Sequence, residues 1–144
     1  MSSATNRQLD ADVRKMQMDL AKLEPRLAKN VTRRGVRAGA GHIRDRARSN
    51  VAVRYGILRR HIQARGERSR DRNQMRAVVT IRKGERVVDG RRVNPRLYAH
   101  LQEFGTVNMA PRPFLRPAMT DLSGIMNAIT SKLVVEVAKE MQKL

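Results

Sequence analysis

The N-terminal third of the chain places apolar residues with the period of a helix. They recur every three or four positions, first at Val13, Met16, Leu20, Leu23 and Leu27 and then at Val31, Ala38, Ile43 and Ala47. This spacing predicts N-terminal amphipathic helices over residues 10–50. Pro25 should kink the run or begin a second helix, because proline disrupts a helix interior. Gly35, Gly39 and Gly41 either only weaken the second helix or also allow another backbone to approach it closely.

The middle region, residues 51–96, combines loops with short extended segments. Residues 50–62 predict a loop through Gly56 followed by a short helical turn, and residues 65–74 predict a flexible, Arg-rich loop. Residues 75–81 are rich in β-branched side chains in alternating positions, which predicts a strand. Asp89 and Gly90 lie between two short β-prone arms, a pattern typical of a tight hairpin.

The last region, residues 97–144, predicts a short helix, a Pro-rich connection and one long C-terminal helix. The short helix covers residues 97–104 and should end at Gly105, and the three prolines of residues 109–117 predict an extended connection. The long helix follows from the apolar stripe Met119, Leu122, Met126, Ile129, Leu133, Val137, Met141 and Leu144. The sequence therefore predicts a single α+β domain, residues 1–144, whose small antiparallel sheet and β-hairpin pack against the helices.

Packing in this last region is predicted from the same periodicity. Leu97, Leu101 and Phe104 share one face of the short helix and are expected to enter the core, with Phe114 and Leu115 as further anchors. Glu103 is one of few acidic residues near the basic region, so we expect it to pair with an arginine.

Basic charge is concentrated in the middle of the chain. Lys and Arg number 31 against 13 Asp and Glu, a net charge of +18, and 24 of the 31 are Arg. Residues 26–96 hold 22 basic and five acidic side chains. Since Arg suits planar contacts to phosphate, this surplus favours a polyanionic partner over a merely solvated surface. Without stacking aromatics or zinc-finger spacing, we expect sequence-nonspecific contact with the backbone of double-stranded DNA.

The arginines predicted to face DNA are those of the second helix and of the segment that follows it. They are Arg33, Arg34, Arg37, Arg44, Arg48, Arg59, Arg60, Arg65, Arg68, Arg70 and Arg72.

Catalytic and metal-binding patterns are missing from the sequence. The absence of Cys excludes a thiol nucleophile and cysteine-based metal sites. His42, His61 and His100 are far apart, and a side-chain contact between His100 and Glu103 is favoured over a metal site that would need a third ligand. No nucleophile elbow or phosphate-binding loop is present. We therefore predict a protein that is not an enzyme and that needs no cofactor or metal.

Membrane and secretory signals are also missing. No apolar run approaches the ~18 residues needed to cross a bilayer, and the first ten residues hold no apolar segment of a secretory signal. The expectation is a protein made in the cytoplasm that has no membrane partner.

Two segments resemble the signature of a family of tailed-phage morphogenesis proteins. The first holds Tyr98, Ala99, Glu103, Phe104, Gly105 and Thr106, and the second holds Pro111, Pro113, Phe114, Leu115, Arg116, Pro117 and Ala118. A weaker match covers residues 55–62, where Tyr55 replaces the usual threonine. The chain resembles the HK97-type minor tail or tail-completion proteins, and its layout is similar to that of the lambda minor tail protein Z.

The resemblance implies a structural subunit of the head–tail junction, or neck, of a long-tailed phage. Such subunits form a homo-oligomeric ring of six that caps the tail tube, joins it to head connector or stopper proteins, contacts the tail tube or terminator protein, and lets DNA pass. They assemble in the host cytoplasm and remain in the virion. For ring closure the candidate contacts are residues 65–74 and the hairpin residues Val87, Val88, Asp89 and Gly90. The alternative is a small nonspecific nucleic-acid-binding protein associated with the nucleoid or ribosome, and a metal-dependent nuclease is least favoured.

Overall fold

The computed structural model describes residues 3–51, 56–71 and 74–143, and it confirms an α+β fold. The helices are α1 (Ser3–Ala21), α2 (Pro25–Asn50), α3 (Ile57–His61), α4 (Pro95–Phe104), α5 (Leu115–Met119) and α6 (Leu122–Met141). The strands are β1 (Ile62–Glu67), β2 (Arg76–Ile81), β3 (Arg86–Val88) and β4 (Arg91–Val93). Among the described residues no helix is both long and apolar enough to cross a bilayer.

Helix α2 packs closely against α6 through two glycines. It begins at Pro25, as predicted, where a missing amide hydrogen costs little. A Cβ atom on Gly35 would lie 2.6 Å from Cδ2 of Leu133, and one on Gly39 would lie 2.7 Å from Cγ1 of Ile129. Since the later glycine meets the earlier α6 residue, the two helices are antiparallel. The glycines therefore do allow the close approach of another helix.

The strands form two separate antiparallel pairs. β1 pairs with β2, with Ile62 opposite Ile81, and β3 pairs with β4. Asp89 and Gly90 have φ angles of 50° and 75°, the left-handed values that a type I′ hairpin turn requires. The hairpin prediction is therefore confirmed. The prediction of a loop over residues 65–74 is wrong for 65–67, because these polar residues complete β1 through backbone pairing with β2.

The main core lies between α2, the β1–β2 pair, α4 and α5. Its buried members are Ala47, Val51, Leu58, Ile62, Ala99, Phe114 and Ala118. Phe114 is only 2% exposed and Leu115 packs against this cluster, so both predicted anchors are confirmed. A second cluster of Leu23, Val31 and Val137 joins α2 to α6.

Helix α4 presents the opposite face to the core from the one predicted. Leu97 and Phe104 are 71% and 55% exposed, and Leu101 is also exposed. The buried side holds Ala99 and Glu103 instead. The residues of each face are spaced three or four positions apart, so the spacing does not decide between the two faces. The face that packs is the one with the small Ala99 side chain and the hydrogen-bonded carboxylate of Glu103. Gly105 ends the helix as predicted, with φ of 77°.

The C-terminal apolar stripe is divided between two helices, where a single helix is predicted. α5 ends at Met119, and α6 starts anew because the Asp121 side chain accepts a hydrogen bond from the Gly124 amide at 3.2 Å. The extended connection also ends earlier than predicted, since α5 begins at Leu115.

We expect Phe114→Ala to lower the free energy of unfolding by about 3–5 kcal/mol, because it removes a fully buried aromatic ring. Phe104→Ala should cost less than about 1 kcal/mol, since that ring is largely solvated. Urea denaturation of the two variants measures the difference. Equal losses of stability would contradict the burial of the two rings.

A second pair of variants tests the α2–α6 contact. Gly41 faces open space, so Gly41→Ala should stabilise the protein by up to about 1 kcal/mol through helix propensity alone. Gly39→Ala makes the same change but drives a methyl group against Ile129, and it should destabilise by about 1–3 kcal/mol. Thermal denaturation distinguishes the two, and a stabilising Gly39→Ala would mean that the helices are not in close contact there.

Candidate assembly and nucleic-acid surfaces

The carboxylate of Glu103 joins the two signature segments. It is buried at the end of α4 and accepts hydrogen bonds from the backbone N–H groups of Phe114, Leu115 and Arg116 at 2.8, 3.0 and 3.1 Å. These donors lie at the start of α5, where helical N–H groups have no partner within the helix. Arg116 Nε lies 3.8 Å from Glu103 Oε1, so the predicted pairing with an arginine is confirmed.

Glu103 is ionised at neutral pH despite its burial. Burial alone would raise the pKa of the carboxyl group, but the three backbone N–H groups and Arg116 outweigh it and hold the pKa of Glu103 below its ordinary value. The charged carboxylate therefore fixes α5 to α4.

This junction turns an apolar face of α4 toward solvent. We define the α4 face as Leu97, Leu101 and Phe104, all exposed. The centroids of the Phe104 and His100 rings are 4.9 Å apart. The guanidinium carbon of Arg116 lies 4.8 Å from the Phe104 centroid. A monomer rarely exposes a contiguous apolar surface without a binding role, so this face is a candidate contact with another protein.

Helix α6 exposes a second face, and this one carries no charge. We define the α6 face as Asn127, Ser131, Val134, Val135, Ala138 and Met141, which are all exposed. Glu136 lies on the other side of α6, where it is paired with Arg34 and, at 2.9 Å, with Lys132. Lys132 and Arg34 lower the pKa of Glu136 to about 2. In a chain of net charge +18, an uncharged exposed helix face is a candidate contact surface.

The predicted DNA-facing arginines fall into two groups. Seven are exposed and have no acidic partner within 4.0 Å among the described residues, and these are Arg33, Arg37, Arg59, Arg60, Arg65, Arg68 and Arg70. Three bond to the protein: Arg34 to Glu136, Arg44 to Asp45 at 2.8 Å, and Arg48 to the Ile62 carbonyl oxygen at 2.7 Å. Arg72 lies outside the described residues.

Helix α2 gathers part of this charge on one side. Arg26, Arg33, Arg37 and Arg44 follow one another at intervals of seven, four and seven residues, which places them on a single helix face. That face is opposite the glycines that contact α6. Helix α2 thus separates a packed side from a basic, solvated side.

His42 has a structural role that sequence reasoning missed. Its Nε2 atom lies 2.9 Å from Asp121 Oδ2, and Arg46 Nε lies 3.3 Å from the same oxygen. The hydrogen bond with His42 is the main reason that the pKa of Asp121 is lowered. The four-residue spacing of His42 and Arg46 on α2 is the only signal in the sequence, and it does not reveal the distant partner.

Two other predicted contacts can be placed. His100 points outward from α4 while Glu103 is buried, and within residues 3–51, 56–71 and 74–143 no group of three or more His, Asp or Glu could hold a metal ion. On the hairpin, Val87 is 69% exposed, Asp89 and Gly90 are exposed, and Val88 is half-buried. The hairpin is therefore accessible, and its role in subunit contact stays a prediction.

The described chain is thus a small α+β protein with two exposed helix faces and a set of exposed arginines. Comparison with protein families identifies the group: residues 14–105 match the HK97-gp10-like family, described as "Bacteriophage HK97-gp10, putative tail-component". The chain belongs to this family, which confirms the resemblance and associates the protein with the phage tail and the virion. The match ends at Gly105, before the second signature segment. No curated protein and no solved structure matches the chain.

We expect Glu103→Gln to lower the free energy of unfolding by about 1–3 kcal/mol at pH 7, because a neutral amide cannot satisfy the three backbone donors equally. Since the folded pKa of Glu103 is depressed, its contribution is present above its ordinary value of 4.5 and is lost as pH falls through the folded pKa. The difference between wild type and variant should therefore shrink between pH 7 and pH 3, measured by urea denaturation.

The control for this experiment is Glu85→Gln. Glu85 is exposed and lies 3.7 Å from the exposed Arg92, and such a surface pair contributes little. A gap between wild type and Glu103→Gln that stays constant with pH would contradict a role for the ionised carboxylate.

Proposed function

We propose that this protein is a ring-forming subunit of the head–tail junction of a long-tailed phage, of the tail-completion or terminator type. It caps the tail tube, joins it to the head connector and lets double-stranded DNA pass. The observation that carries the proposal is the combination of three exposed surfaces: the apolar α4 face, the uncharged α6 face and a set of arginines on other elements.

The exposed faces of α4 and α6 support assembly of copies into a ring. The α4 face and the α6 face lie on different elements, so a contact that pairs one with the other joins unlike surfaces of two copies. Such a heterologous contact closes into a ring when its rotation permits. Copies of a strongly basic chain repel one another where arginines face arginines, so the apolar α4 face and the uncharged α6 face are where they can meet. Six copies are proposed from the family resemblance, and the hairpin and residues 65–74 supply further candidate contacts.

The exposed arginines support passage of DNA through that ring. A lumen lined with guanidinium groups attracts phosphates and needs no base contacts. The two exposed aromatic residues of the described chain, Tyr98 and Phe104, lie on α4 and not among the arginines of α2 or α3. Contact with the DNA backbone alone therefore fits this surface better than stacking on bases.

A nonspecific nucleic-acid-binding protein is the second candidate. The exposed arginines suit it equally well. It leaves the α4 and α6 faces without a purpose, because binding of nucleic acid by a monomer does not cover them. The ring subunit accounts for both kinds of surface.

Native mass spectrometry of the purified chain, alone and with its connector and tail-tube partners, tests the proposal. Wild type should form a closed oligomer of defined size. Val134→Asp with Ala138→Asp should remain monomeric, because the contact would then have to bury two charged carboxylates. Both positions are exposed, so circular dichroism should be unchanged.

The matched control introduces two aspartates at exposed positions of α1, Ala11→Asp with Gln17→Asp. This variant should assemble as wild type does. A wild-type chain that stays monomeric with its partners present would overturn the proposed ring, and assembly by the α6 variant would remove the α6 face from it.

A further inference from the structure

A basic depression lies where α3, the end of β2 and the start of β3 meet. Its volume is about 260 Å3, and we call it the Arg cup. Arg60, Arg82 and Arg86 line it together with His61, and its apolar lining residues are Ile57, Val87 and Val88. Among the lining residues that the structure describes, none is acidic.

The arginines of the cup are not neutralised within the described chain. Arg60, Arg82 and Arg86 are exposed and have no carboxylate within 4.0 Å. Glu85, the acidic residue next to Arg86, pairs with Arg92 instead. Like charges around one depression repel one another. An anion in the cup would be attracted to each of these arginines and would offset their mutual repulsion.

His61 gives the cup a fixed polar group. The residue is only 9% exposed. Its Nδ1 atom donates to the Ile57 carbonyl oxygen at 2.7 Å. This bond fixes the orientation of the ring and uses only one of its two nitrogens. Nε2 has no hydrogen-bond partner among the described residues. The Arg82 amide donates to the His61 carbonyl oxygen at 2.8 Å. This backbone hydrogen bond holds two of the segments that line the cup next to each other.

We propose that the Arg cup binds one phosphate group of a nucleic-acid backbone. This inference rests on the DNA contact of the proposed function and adds Arg82 and Arg86 to it. Three guanidinium groups around one depression can donate to several oxygens of a tetrahedral phosphate at once. A carboxylate has only two oxygens, which lie in one plane, so it fits three guanidinium groups less well than a phosphate does. The apolar lining residues Ile57 and Val87 suit the sugar next to a phosphate.

The test measures binding of a 20-base-pair duplex by fluorescence anisotropy over a series of salt concentrations. Arg82→Gln with Arg86→Gln is compared with Arg7→Gln with Arg14→Gln, which removes the same charge from exposed positions of α1. The cup variant should bind at least tenfold more weakly than the control. Its slope of log affinity against log salt should be smaller by about 0.9, the value for one lost phosphate contact.

Two further probes identify the ligand class. Inorganic phosphate should shift the His61 ring resonances saturably in wild type and not in the cup variant, measured by NMR on the folded protein. A decaglutamate peptide should bind wild type more weakly than the duplex does. It should bind wild type and the cup variant with equal affinity.

The outcomes separate the cup from the proposed function. Wild-type duplex binding that falls equally in both variants overturns the cup and leaves the DNA contact in place. Phosphate-dependent shifts at His61 without duplex binding overturn the nucleic-acid assignment and with it the proposed passage of DNA. Tighter, cup-dependent binding of decaglutamate makes the ligand an acidic protein segment and also overturns the proposal.

Discussion

The hydrogen bonds of the Glu103 carboxylate to three backbone amides are the interaction on which the arrangement of the C-terminal half depends. The hydrogen bond of the Phe114 amide is buried and those of the Leu115 and Arg116 amides are partly buried. Because an unpaired buried donor is costly, the acceptance of all three bonds by Glu103 stabilises this junction. The same bonds decide which side of α4 is buried. The apolar residues of α4 are exposed as a consequence, and the surface proposed for assembly results from a packing constraint.

Helix α2 provides the second constraint, because one of its sides packs against protein while the opposite side faces solvent. Gly35 and Gly39 let α6 approach on one side, while arginines at helical spacing occupy the other. The charge is tolerated because it is solvated and because the packed side supplies the burial. The molecule thus keeps the exposed arginines of α2 apart from the exposed faces of α4 and α6. This separation is what a subunit needs if it contacts protein neighbours and nucleic acid at once.

Local signals in the sequence predicted much of the fold correctly. Pro25 marks a helix start, Asp89 with Gly90 marks a turn, and Gly105 marks a helix end. The backbone preference of the residue itself decides each of these features. Polar β1 was missed, since residues 65–67 show no apolar alternation and are held by pairing with β2. The break between α5 and α6 was also missed, because the apolar stripe continues across Asp121, which begins a new helix by capping it.

The sequence by itself determined the helical periodicities, the turns, the regional excess of arginine and the family resemblance that the match over residues 14–105 confirms. Only the tertiary structure decided which face of α4 is buried, which arginines bond within the protein, and that Arg60, Arg82 and Arg86 share one depression. The physical reason is the range of the interactions. Backbone preferences depend on a few neighbouring residues, whereas burial and charge pairing depend on partners that are distant along the chain, such as Arg34 with Glu136.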